Sequence, residues 1–345
     1  MQTRKAFSEA HLSSGDSVEK FGAYRIFEEN GKGRGRLVEM TLDELDAGDV
    51  VIRSAYSSVN FKDALSGTGA GKIVRRYPCV GGIDCSGTVV SSGDSRFKAG
   101  DEVICTSYDL AMAHDGGYAG MVRVPADWVV PLPQGLTLFD AMAIGTAGYT
   151  SALAIHLLEH NGMAPGNGKV LVNGATGGCA SIAIDMLAGL GYRVTAITGK
   201  AAEHDYLKRI GASEVLGREA LAAATRPLEK GLWAAAFDSV GGEQLAALTR
   251  TMQQHGLIAS FGNAGGIELH TTVLPFILRG VRLIGVDSAY TPMPIRRGVW
   301  QRLATDLKPR HLKDIVQTVT LDQLPEIFEK MLKQQSRGRI VVAIG

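Results

Sequence analysis

Cysteine is scarce in this sequence, and its placement argues against two common kinds of protein. The four cysteines are Cys79, Cys85, Cys105 and Cys179, and no two of them form a CxxC pair. Without such pairs, the sequence favours neither a disulfide framework nor a structural zinc cluster. Scattered cysteines of this kind suit a reducing compartment, so we expect a cytoplasmic protein.

Excess charge and long apolar runs are also missing. The 36 basic residues nearly balance the 35 acidic residues, and the formal net charge is +1. Such a chain has no long-range field that would gather nucleic acid or an anionic membrane surface. The N-terminus lacks the apolar segment of a signal peptide, and no later stretch reads as the run of about 18 uncharged apolar residues that a membrane span needs. We therefore expect neither nucleic acid nor a membrane as a partner.

The chain is, in contrast, long and rich in glycine. The 345 residues suit two domains rather than one. Hydrophobic residues make up 45% of the chain, which is enough to build a core in each domain. The 43 glycines exceed the usual share of about 7% and follow no collagen-like period. Tight turns and close backbone approaches are expected.

Two sequence patterns divide the chain. Between residues 50 and 130, short β-rich runs alternate with Gly, Pro and Asp, which predicts a compact, mostly antiparallel lobe. From about residue 168, apolar strands, glycine turns and helices repeat, which indicates a parallel sheet covered on both faces. One of these predicted helices covers residues 244–256. The apolar segment 141–160 reads as one or two helices between the lobes, and the C-terminal tail is placed back in the first lobe.

The predicted fold class is therefore α/β, with a Rossmann-type doubly wound parallel sheet domain and a mostly antiparallel β catalytic domain. We assign residues 144–289 to the nucleotide-binding domain. Residues 1–143 and 290–345 form the catalytic domain in this division.

A glycine-rich turn between a strand and a helix gives the strongest local signal. The segment 169–181 reads KVLVNGATGGCAS, with Gly174, Gly177 and Gly178 between an apolar strand and a helix. Free backbone N–H groups and the positive helix end at Thr176–Cys179 are suited to bind a pyrophosphate. The spacing departs from GxGxxG, and such turns also occur as purely structural links. The surrounding βα units favour a dinucleotide site.

The second strand of the predicted nucleotide-binding lobe ends without the acidic residue that would hold the ribose of NAD. Thr198, Gly199 and Lys200 stand there instead, and Arg218 follows the next strand. A hydroxyl, a backbone N–H and one or two cations suit a 2′-phosphate, which predicts NADPH rather than NADH as the cofactor. The alternative is that Lys200 and Arg218 are ordinary surface charges.

With these motifs, the chain resembles the medium-chain dehydrogenase/reductase superfamily, in particular its quinone-oxidoreductase-like branch and, within it, the acrylyl-CoA reductase subgroup. The resemblance runs from about Phe21 to the C-terminus, and the residues before it have no assigned role. It implies a GroES-like catalytic domain. The segments that carry it are SSVNFKDAL (57–65), GIDCSGTV (82–89), RFKAGDEV (96–103), IGTAGYT (144–150), NGATGGCAS (173–181), YLKRIGA (206–212), TTVLPFILRGVRLIGVDS (271–288) and RGR (337–339).

The resemblance also implies which residues contact the cofactor. Phosphate contacts fall on the glycine turn, and contacts toward the nicotinamide half fall on Asn263, Ile277, Ser288 and Arg339. Phe61 occupies the place where the subgroup usually has tyrosine, so a hydroxyl that could touch the nicotinamide or supply a proton is absent. The full set of predicted cofactor-binding residues is Phe61, Thr176, Gly177, Gly178, Cys179, Thr198, Gly199, Lys200, Arg218, Asn263, Ile277, Ser288 and Arg339.

Catalytic zinc is not expected. Zinc-dependent relatives carry a GHExxG segment whose histidine binds the metal, whereas residues 82–87 read GIDCSG. Since catalytic zinc needs three protein ligands, the loss of that histidine argues against a metal centre. Cys85 in this segment could be proposed as a nucleophile, but a buried inert thiol is the favoured interpretation.

Reaction chemistry without a metal favours conjugate reduction. Hydride addition to the β-carbon of an enoyl thioester or enone gives an enolate, whose charge a few preorganised hydrogen-bond donors can stabilise. Asn60 and Asp63 are the candidate catalytic residues, Asn60 orienting a carbonyl or the nicotinamide and Asp63 holding the loop. A purely structural Asx-type turn is the alternative for both.

Several weaker candidates remain. Lys72, Arg75 and Arg76 form a basic patch that could hold coenzyme A phosphates, although a solvated face is the favoured interpretation. His114 and Tyr149 are further candidates for the cleft. The segment VRLIGVDS (281–288) reads as a strand that, in related folds, pairs with its mate across a twofold axis, so a homodimer is expected.

The predicted function is the NADPH-dependent, zinc-independent reduction of an activated C=C bond in a small-molecule substrate, with acrylyl-CoA giving propionyl-CoA. One alternative is a quinone or enone oxidoreductase that uses the same turn and cleft. A second alternative, from another class, is a non-catalytic NADPH-binding protein.

Overall fold

A computed structural model describes residues 19–345 of the chain. Residues 1–18, which make up most of the segment before Phe21, lie outside the described residues. Within the described part, the strands are β1 Lys20–Glu29, β2 Lys32–Thr41, β3 Val50–Ser58, β4 Cys79–Val80, β5 Asp84–Ser92, β6 Glu102–Thr106, β7 Met121–Val124, β8 Val129–Pro131, β9 Lys169–Val172, β10 Arg193–Ile197, β11 Glu214–Leu216, β12 Trp233–Asp238, β13 Met252–Ser260, β14 Arg282–Gly285, β15 Val316–Thr320 and β16 Arg339–Ala343. The α-helices of the same part are α1 Phe61–Thr68, α2 Leu138–His160, α3 Gly178–Gly189, α4 His204–Arg209, α5 Glu219–Ala222, α6 Gly242–Thr251, α7 Leu274–Arg279, α8 Met293–Leu303, α9 Leu312–Ile315 and α10 Leu324–Leu332.

The first lobe is built on a sheet with the strand order β15-β16-β3-β5-β6-β8, and β7 also pairs with β3. Its pairs are antiparallel except for β15 with β16. The C-terminal strands β15 and β16 thus join the sheet that β3 begins more than 250 residues earlier in the chain. A small second sheet has the order β2-β1-β4. The β1–β2 hairpin was not predicted, because its charged residues and glycines obscure the alternation on which strand prediction depends.

The second lobe is a six-stranded parallel sheet with the order β11-β10-β9-β12-β13-β14. Strands β9, β10, β12 and β13 are largely buried, as expected for strands covered on both faces. The α/β fold class, with a Rossmann-type lobe and a GroES-like lobe, is confirmed.

One predicted helix is too long. The pattern predicted a helix over 244–256, but α6 ends at Thr251 and β13 begins at Met252. The polar residues 253–255 fit a helix period, yet they lie in a β-strand whose register with β12 shifts between Trp233 and Ala235. Pairing with the neighbouring strand therefore overrides the local pattern, as tertiary context often does.

Helix α2 corrects another expectation. By length and composition alone, its 23 residues could cross a membrane, and the prediction that the chain contains no such stretch was wrong. In the structure, 83% of its most apolar window is buried inside the protein. The helix is kinked at Gly145, whose φ of 53° and ψ of −164° are not helical. It packs against β3, α3 and α8, and so lies between the two sheets.

The apolar core follows this arrangement. One large cluster joins α2, α3 and α8, and the ring of Trp300 on α8 stacks on Tyr149 of α2 with 5.9 Å between centroids. The assigned domain limit at residues 143 and 144 falls inside α2, next to the kink. The division into residues 1–143, 144–289 and 290–345 stays a prediction.

Candidate active site

The glycine turn after β9 has the geometry that phosphate binding requires. Gly174 has a φ of 58°, and a Cβ there would lie 2.4 Å from Ser239 Oγ, so only glycine fits. Gly177 precedes the first residue of α3, and the helix therefore begins at Gly178 with its N–H groups directed into the turn. Thr176 is buried, and its carbonyl oxygen accepts a hydrogen bond from Gly338 N at 2.9 Å. The turn is thus tied to the C-terminal segment.

The tip of β10 brings two basic side chains together. A Cβ on Gly199 would lie 2.7 Å from Arg218 Nε, so the guanidinium lies directly against this glycine. Burial lowers the pKa of Lys200; nearby Arg218 adds to this effect, and Glu203 opposes it. Lys200 Nζ also donates to the carbonyl oxygen of Ser336 at 2.8 Å. The structure therefore places Thr198, Gly199, Lys200 and Arg218 in one basic corner.

A buried carboxylate, Asp84, organises the polar centre between the lobes. Its side chain is fully buried. Oδ2 accepts hydrogen bonds from Ser58 Oγ at 2.5 Å, from Asn60 Nδ2 at 2.8 Å and from the backbone N–H of Thr146 at 3.0 Å. Oδ1 accepts from Thr146 Oγ1 at 2.5 Å. Asp84 thereby joins three separate chain segments.

Arg339 provides the opposite charge in this centre. The side chain is 2% exposed, and its Nη2 donates to Ser58 Oγ at 2.7 Å. Its Nη1 donates to the carbonyl oxygen of Val59 at 3.0 Å and to Asn60 Oδ1 at 3.3 Å. Burial lowers the pKa of Arg339, whereas the charge of Asp84 opposes that effect. Because a buried charge is costly without a partner, Arg339 and Asp84 depend on each other through Ser58 and Asn60.

Arg339 also reaches the phosphate turn. A Cβ on Gly178 would lie 3.0 Å from Arg339 Cδ, so glycine is the residue that lets this side chain pass. The predicted phosphate site and the predicted catalytic residue Asn60 are therefore brought together by a single arginine from β16.

Asp63 holds the start of α1. Its Oδ2 accepts from the backbone N–H of Asn60 at 2.8 Å, and its Oδ1 accepts from Ile83 N at 3.0 Å. Burial raises the pKa of Asp63 to about 7, with the charge of Asp84 acting in the same direction. These contacts agree with the proposed loop-holding role of Asp63.

Gly145 makes the centre possible. Because the helix is broken there, the N–H of Thr146 is free to donate to Asp84. A Cβ at this position would lie 2.4 Å from Arg339 Nη2, 2.7 Å from Ser58 Oγ and 2.8 Å from Asp84 Oδ2. The kink in α2 therefore lies where three polar side chains occupy the space that a Cβ would need.

A hydrogen-bonded path leads from this centre toward Ser288. Thr150, one helical turn after Thr146, donates to the carbonyl oxygen of Thr146 at 2.7 Å. The Thr150 and Ser288 hydroxyls are also 2.7 Å apart. Of the remaining predicted cofactor contacts, Phe61 is the first residue of α1 and is 44% exposed. Asn263 is exposed after β13, and Ile277 on α7 is 69% exposed and is not among the residues of the polar centre.

The cysteines near the site are protonated thiols at neutral pH. Burial raises the pKa of Cys85 to about 12 and that of Cys179 to about 11. Cys85 is fully buried, and Cys179 lies at the start of α3. A high pKa and burial make a thiol unreactive, which supports the inert interpretation of Cys85.

The weaker candidates are engaged elsewhere. Arg76 pairs with Asp46, and Arg75 Nη1 lies 3.5 Å from Asp109 Oδ1, so the basic patch is partly neutralised by its own lobe. Both ring nitrogens of His114 lie within hydrogen-bonding distance of backbone carbonyl oxygens. Tyr149 is fully buried and stacks against Trp300.

Sequence reasoning missed Ser58, Asp84, Gly145 and Thr146. Asp84 carried a usable signal, since a carboxylate within an otherwise small and apolar strand usually marks a buried polar network. The other three could not be found without the tertiary structure. Among residues 19–345, no group of three or more His, Cys, Asp or Glu side chains is arranged to hold a metal ion.

Comparisons with known proteins show which family the chain is similar to. The profile of the alcohol dehydrogenase GroES-like domain matches residues 46–134, and the zinc-binding dehydrogenase profile matches residues 178–305. A protein of Bacillus subtilis named quinone oxidoreductase YhfP is 49% identical over 307 residues, covering 88% of this chain and 93% of YhfP. Acrylyl-CoA reductase AcuI of Ruegeria pomeroyi is 44% identical over 318 residues, covering 92% of this chain and 96% of AcuI.

A solved structure is similar to this chain over nearly its whole length. The YhdH oxidoreductase of Salmonella enterica, in complex with NADP, superposes with a TM-score of 0.92 at 44% identity and covers 94% of this chain and 100% of its own. The chain belongs to the medium-chain dehydrogenase/reductase superfamily, in its quinone-oxidoreductase-like branch. It is an oxidoreductase. The predicted family and the predicted enzyme class are both confirmed.

Proposed function

We propose that this protein catalyses the NADPH-dependent, zinc-independent reduction of an activated C=C bond, with acrylyl-CoA as the preferred substrate and propionyl-CoA as the product. The observation that carries the proposal is the enclosed Asp84–Arg339 centre beside the phosphate turn. It places a buried cation and a rigid hydrogen-bonded loop beside the predicted cofactor turn, and residues 19–345 contain no cluster of metal ligands.

NADPH is the cofactor. The YhdH structure holds NADP, whereas the solved structure of Bacillus YhfP holds NAD, with 46% identity and a TM-score of 0.92. The residues of this chain fit the phosphorylated cofactor. Gly174 and Gly177 give the backbone room that a pyrophosphate needs, and Lys200 with Arg218 supplies positive charge at the tip of β10. A single acidic ribose partner, as used for NAD, is not present at that tip.

NADPH, when bound, supplies the hydride for the β-carbon of the substrate. The chain's own residues hold and orient the reacting groups. The positive charge of Arg339 is buried beside the turn, where it stabilises a developing enolate more strongly than it would in bulk water. The Arg339 N–H groups and the Thr146 hydroxyl are already bonded within the protein, so they fix the geometry of the centre and do not bind the substrate directly. Asp63 and Asp84 are enclosed by their own hydrogen bonds, and Phe61 has no hydroxyl. We therefore propose that water delivers the proton to the α-carbon.

Two alternatives remain proposals of lower rank. YhfP is named as a quinone oxidoreductase, and the same turn and centre could serve an enone or a quinone. A non-catalytic NADPH-binding protein would keep the cofactor site without turnover, and the absence of the tyrosine hydroxyl at Phe61 is the feature that favours it.

One assay separates these functions. NADPH absorbance is followed with acrylyl-CoA, crotonyl-CoA and a simple quinone in parallel, with and without a chelator such as EDTA. We expect oxidation with the thioesters, fastest with acrylyl-CoA, and unchanged rates after chelation. Faster turnover of the quinone would favour the first alternative, and tight NADPH binding without any turnover would favour the second. Loss of activity on chelation, restored by zinc, would overturn the metal-free mechanism.

We also propose a cytoplasmic homodimer. Strand β14 is the edge of the parallel sheet, and several apolar side chains near it are exposed, including Val273 at 65%, Ile277 at 69% and Leu278 at 56%. An unpaired edge next to an apolar patch is suited to association with a second copy. Ile277→Glu is expected to convert the dimer to a monomer in light scattering after gel filtration, whereas Leu37→Glu on exposed β2 is the matched control.

A further inference from the structure

Arg296 is a fully buried cation on α8 that no part of the proposed chemistry uses. Its guanidinium carbon lies 4.4 Å from the ring centroid of Tyr108 and 5.0 Å from that of Tyr149, so the group is held between two aromatic faces. Within residues 19–345 it forms no ion pair with a carboxylate. A buried charge in such a place is costly, and its retention calls for a specific set of contacts.

Those contacts reach across the two lobes. Nη1 donates to the carbonyl oxygen of Thr106 at 3.2 Å and to its hydroxyl at 3.1 Å, at the end of β6 in the catalytic lobe. Nη2 donates to the carbonyl oxygens of Ser288 at 3.0 Å and Ala289 at 2.9 Å, in the loop that follows β14. One planar group therefore links a strand of one sheet to a loop of the other.

Both ends of this link lead into the polar centre. Beyond Thr106, the hydroxyl of Ser107 lies 2.9 Å from Thr146 Oγ1, which in turn bonds Asp84. On the other side, the hydroxyl of Ser288 lies 2.7 Å from Thr150 Oγ1. Arg296 therefore contributes to the distance between the Thr106–Ser107 wall and the Ser288–Ala289 wall, together with the backbone hydrogen bond from Tyr108 N to the carbonyl oxygen of Ala289 at 3.2 Å.

We infer that Arg296 is a positioning residue that sets the spacing of the two walls around the nicotinamide and so aligns the hydride with its acceptor carbon. This inference rests on the proposed function and on the expectation from the family resemblance that Ser288 contacts the nicotinamide half of the cofactor. A planar guanidinium suits the task because its two Nη groups point in fixed directions to acceptors on both lobes. A lysine ammonium is a single point donor and cannot serve both walls with the same geometry.

The test compares Arg296→Lys with Arg123→Lys. Arg123 is the matched control, because its guanidinium also donates to backbone carbonyl oxygens, those of Leu45 and Asp46, and these lie outside the polar centre. For each variant, kcat, the KM for NADPH and the isotope effect with NADPH deuterated at the transferring position are measured on the acceptor that the wild type reduces. Circular dichroism and Tm verify the fold.

For Arg296→Lys we expect kcat to fall roughly 10- to 100-fold, because small misplacements of reacting atoms have effects of that order. The KM for NADPH should change less than about threefold, since the phosphate contacts are distant, and the isotope effect should rise as hydride transfer becomes rate-limiting. Arg123→Lys should retain the wild-type values. Should Arg296→Lys fail to fold, Thr106→Val removes one acceptor of the same link and is expected to lower kcat about threefold and to raise the isotope effect.

Unchanged kcat and isotope effect in a folded Arg296→Lys, or in Thr106→Val where the lysine variant does not fold, would overturn the inference and leave the proposed function intact. Equal losses in Arg296→Lys and Arg123→Lys would also overturn it, because they would indicate general destabilisation. If the wild-type protein oxidised NADPH with none of the acceptors, the proposed function and this inference would both be wrong.

Discussion

The side-chain amide of Asn60 donates from Nδ2 to Asp84 Oδ2 at 2.8 Å. Its other end, Oδ1, accepts from Arg339 Nη1 at 3.3 Å. Because arginine only donates and a carboxylate only accepts, the orientation of the amide is determined by its neighbours. Asn60 is therefore a rigid element between two opposite charges. The prediction that it orients a carbonyl or the nicotinamide remains a prediction, and its contacts show how such an orientation could be maintained.

We expect cofactor selectivity to depend on the basic corner at the tip of β10. Hydrogen bonds to a charged group contribute about 1.5–3 kcal/mol, so Arg218→Ala and Lys200→Ala should each raise the KM for NADPH roughly 10- to 100-fold and leave that for NADH nearly unchanged. Arg218→Ala is the cleaner variant, because Lys200 also contacts Ser336. Steady-state kinetics with both cofactors measures the effect. Lys208→Ala, an exposed cation on α4, is the control, and survival of the NADPH preference in both test variants would disprove the phosphate assignment.

Stability should respond sharply to a side chain at the kink of α2. Gly145→Ala combines a φ of 53° with a Cβ placed 2.4 Å from Arg339 Nη2. We expect the free energy of unfolding to fall by about 2 kcal/mol or more, measured by urea denaturation. Gly298→Ala on α8, where a Cβ meets nothing within 4 Å, should instead be neutral or slightly stabilising. Similar values for the two variants would contradict the proposed role of the kink.

The pH dependence of the free energy of unfolding should reveal the titration of the Asp63 carboxyl. Its carboxyl has a pKa of about 7 in the folded protein against an ordinary value of 3.8, so between these values the folded state binds more protons than the unfolded state. Stability contributed by this residue therefore falls as pH rises from about 4 to 7 and is constant above that range. Denaturation curves at several pH values should show this decline in the wild type and less of it in Asp63→Asn.

The exposed Asp43→Asn variant is the control for this experiment and should follow the wild-type curve. Parallel pH profiles for the wild type and Asp63→Asn would show that the buried carboxyl does not titrate in this range.

Mutual dependence of Asp84 and Arg339 can be measured with a double-mutant cycle. Asp84→Asn leaves the buried guanidinium uncompensated, and breaking such a pair typically lowers the free energy of unfolding by about 3–5 kcal/mol. Arg339→Met alone should also destabilise, but the double variant should lose less than the sum of the two single losses. Strict additivity in chemical denaturation would mean that the two charges are not coupled through Ser58 and Asn60.

Local sequence determined a large part of this protein. The apolar strand, glycine turn and helix at residues 169–189 indicated the nucleotide-binding lobe, because close backbone approach and free N–H groups are properties of a short contiguous segment. The missing acid beside Lys200 indicated the phosphorylated cofactor for the same reason. The β1–β2 hairpin was not predicted because its charged residues and glycines obscure the alternation of its two adjacent strands. The true end of α6 was not predictable from local sequence, since the pairing of β13 with β12 decided it.

The centre of the site was decided only by the tertiary structure. Ser58, Asp84, Thr146 and Arg339 are separated by up to 281 residues, and nothing in their local patterns shows that one hydrogen-bonded cluster contains them. Burial of opposite charges between two sheets brings them together, because each charge is tolerated only when the other is near. The sequence alone therefore determined which cofactor half-site exists and where its turn lies. Packing of the lobes decided which side chains meet in the polar centre.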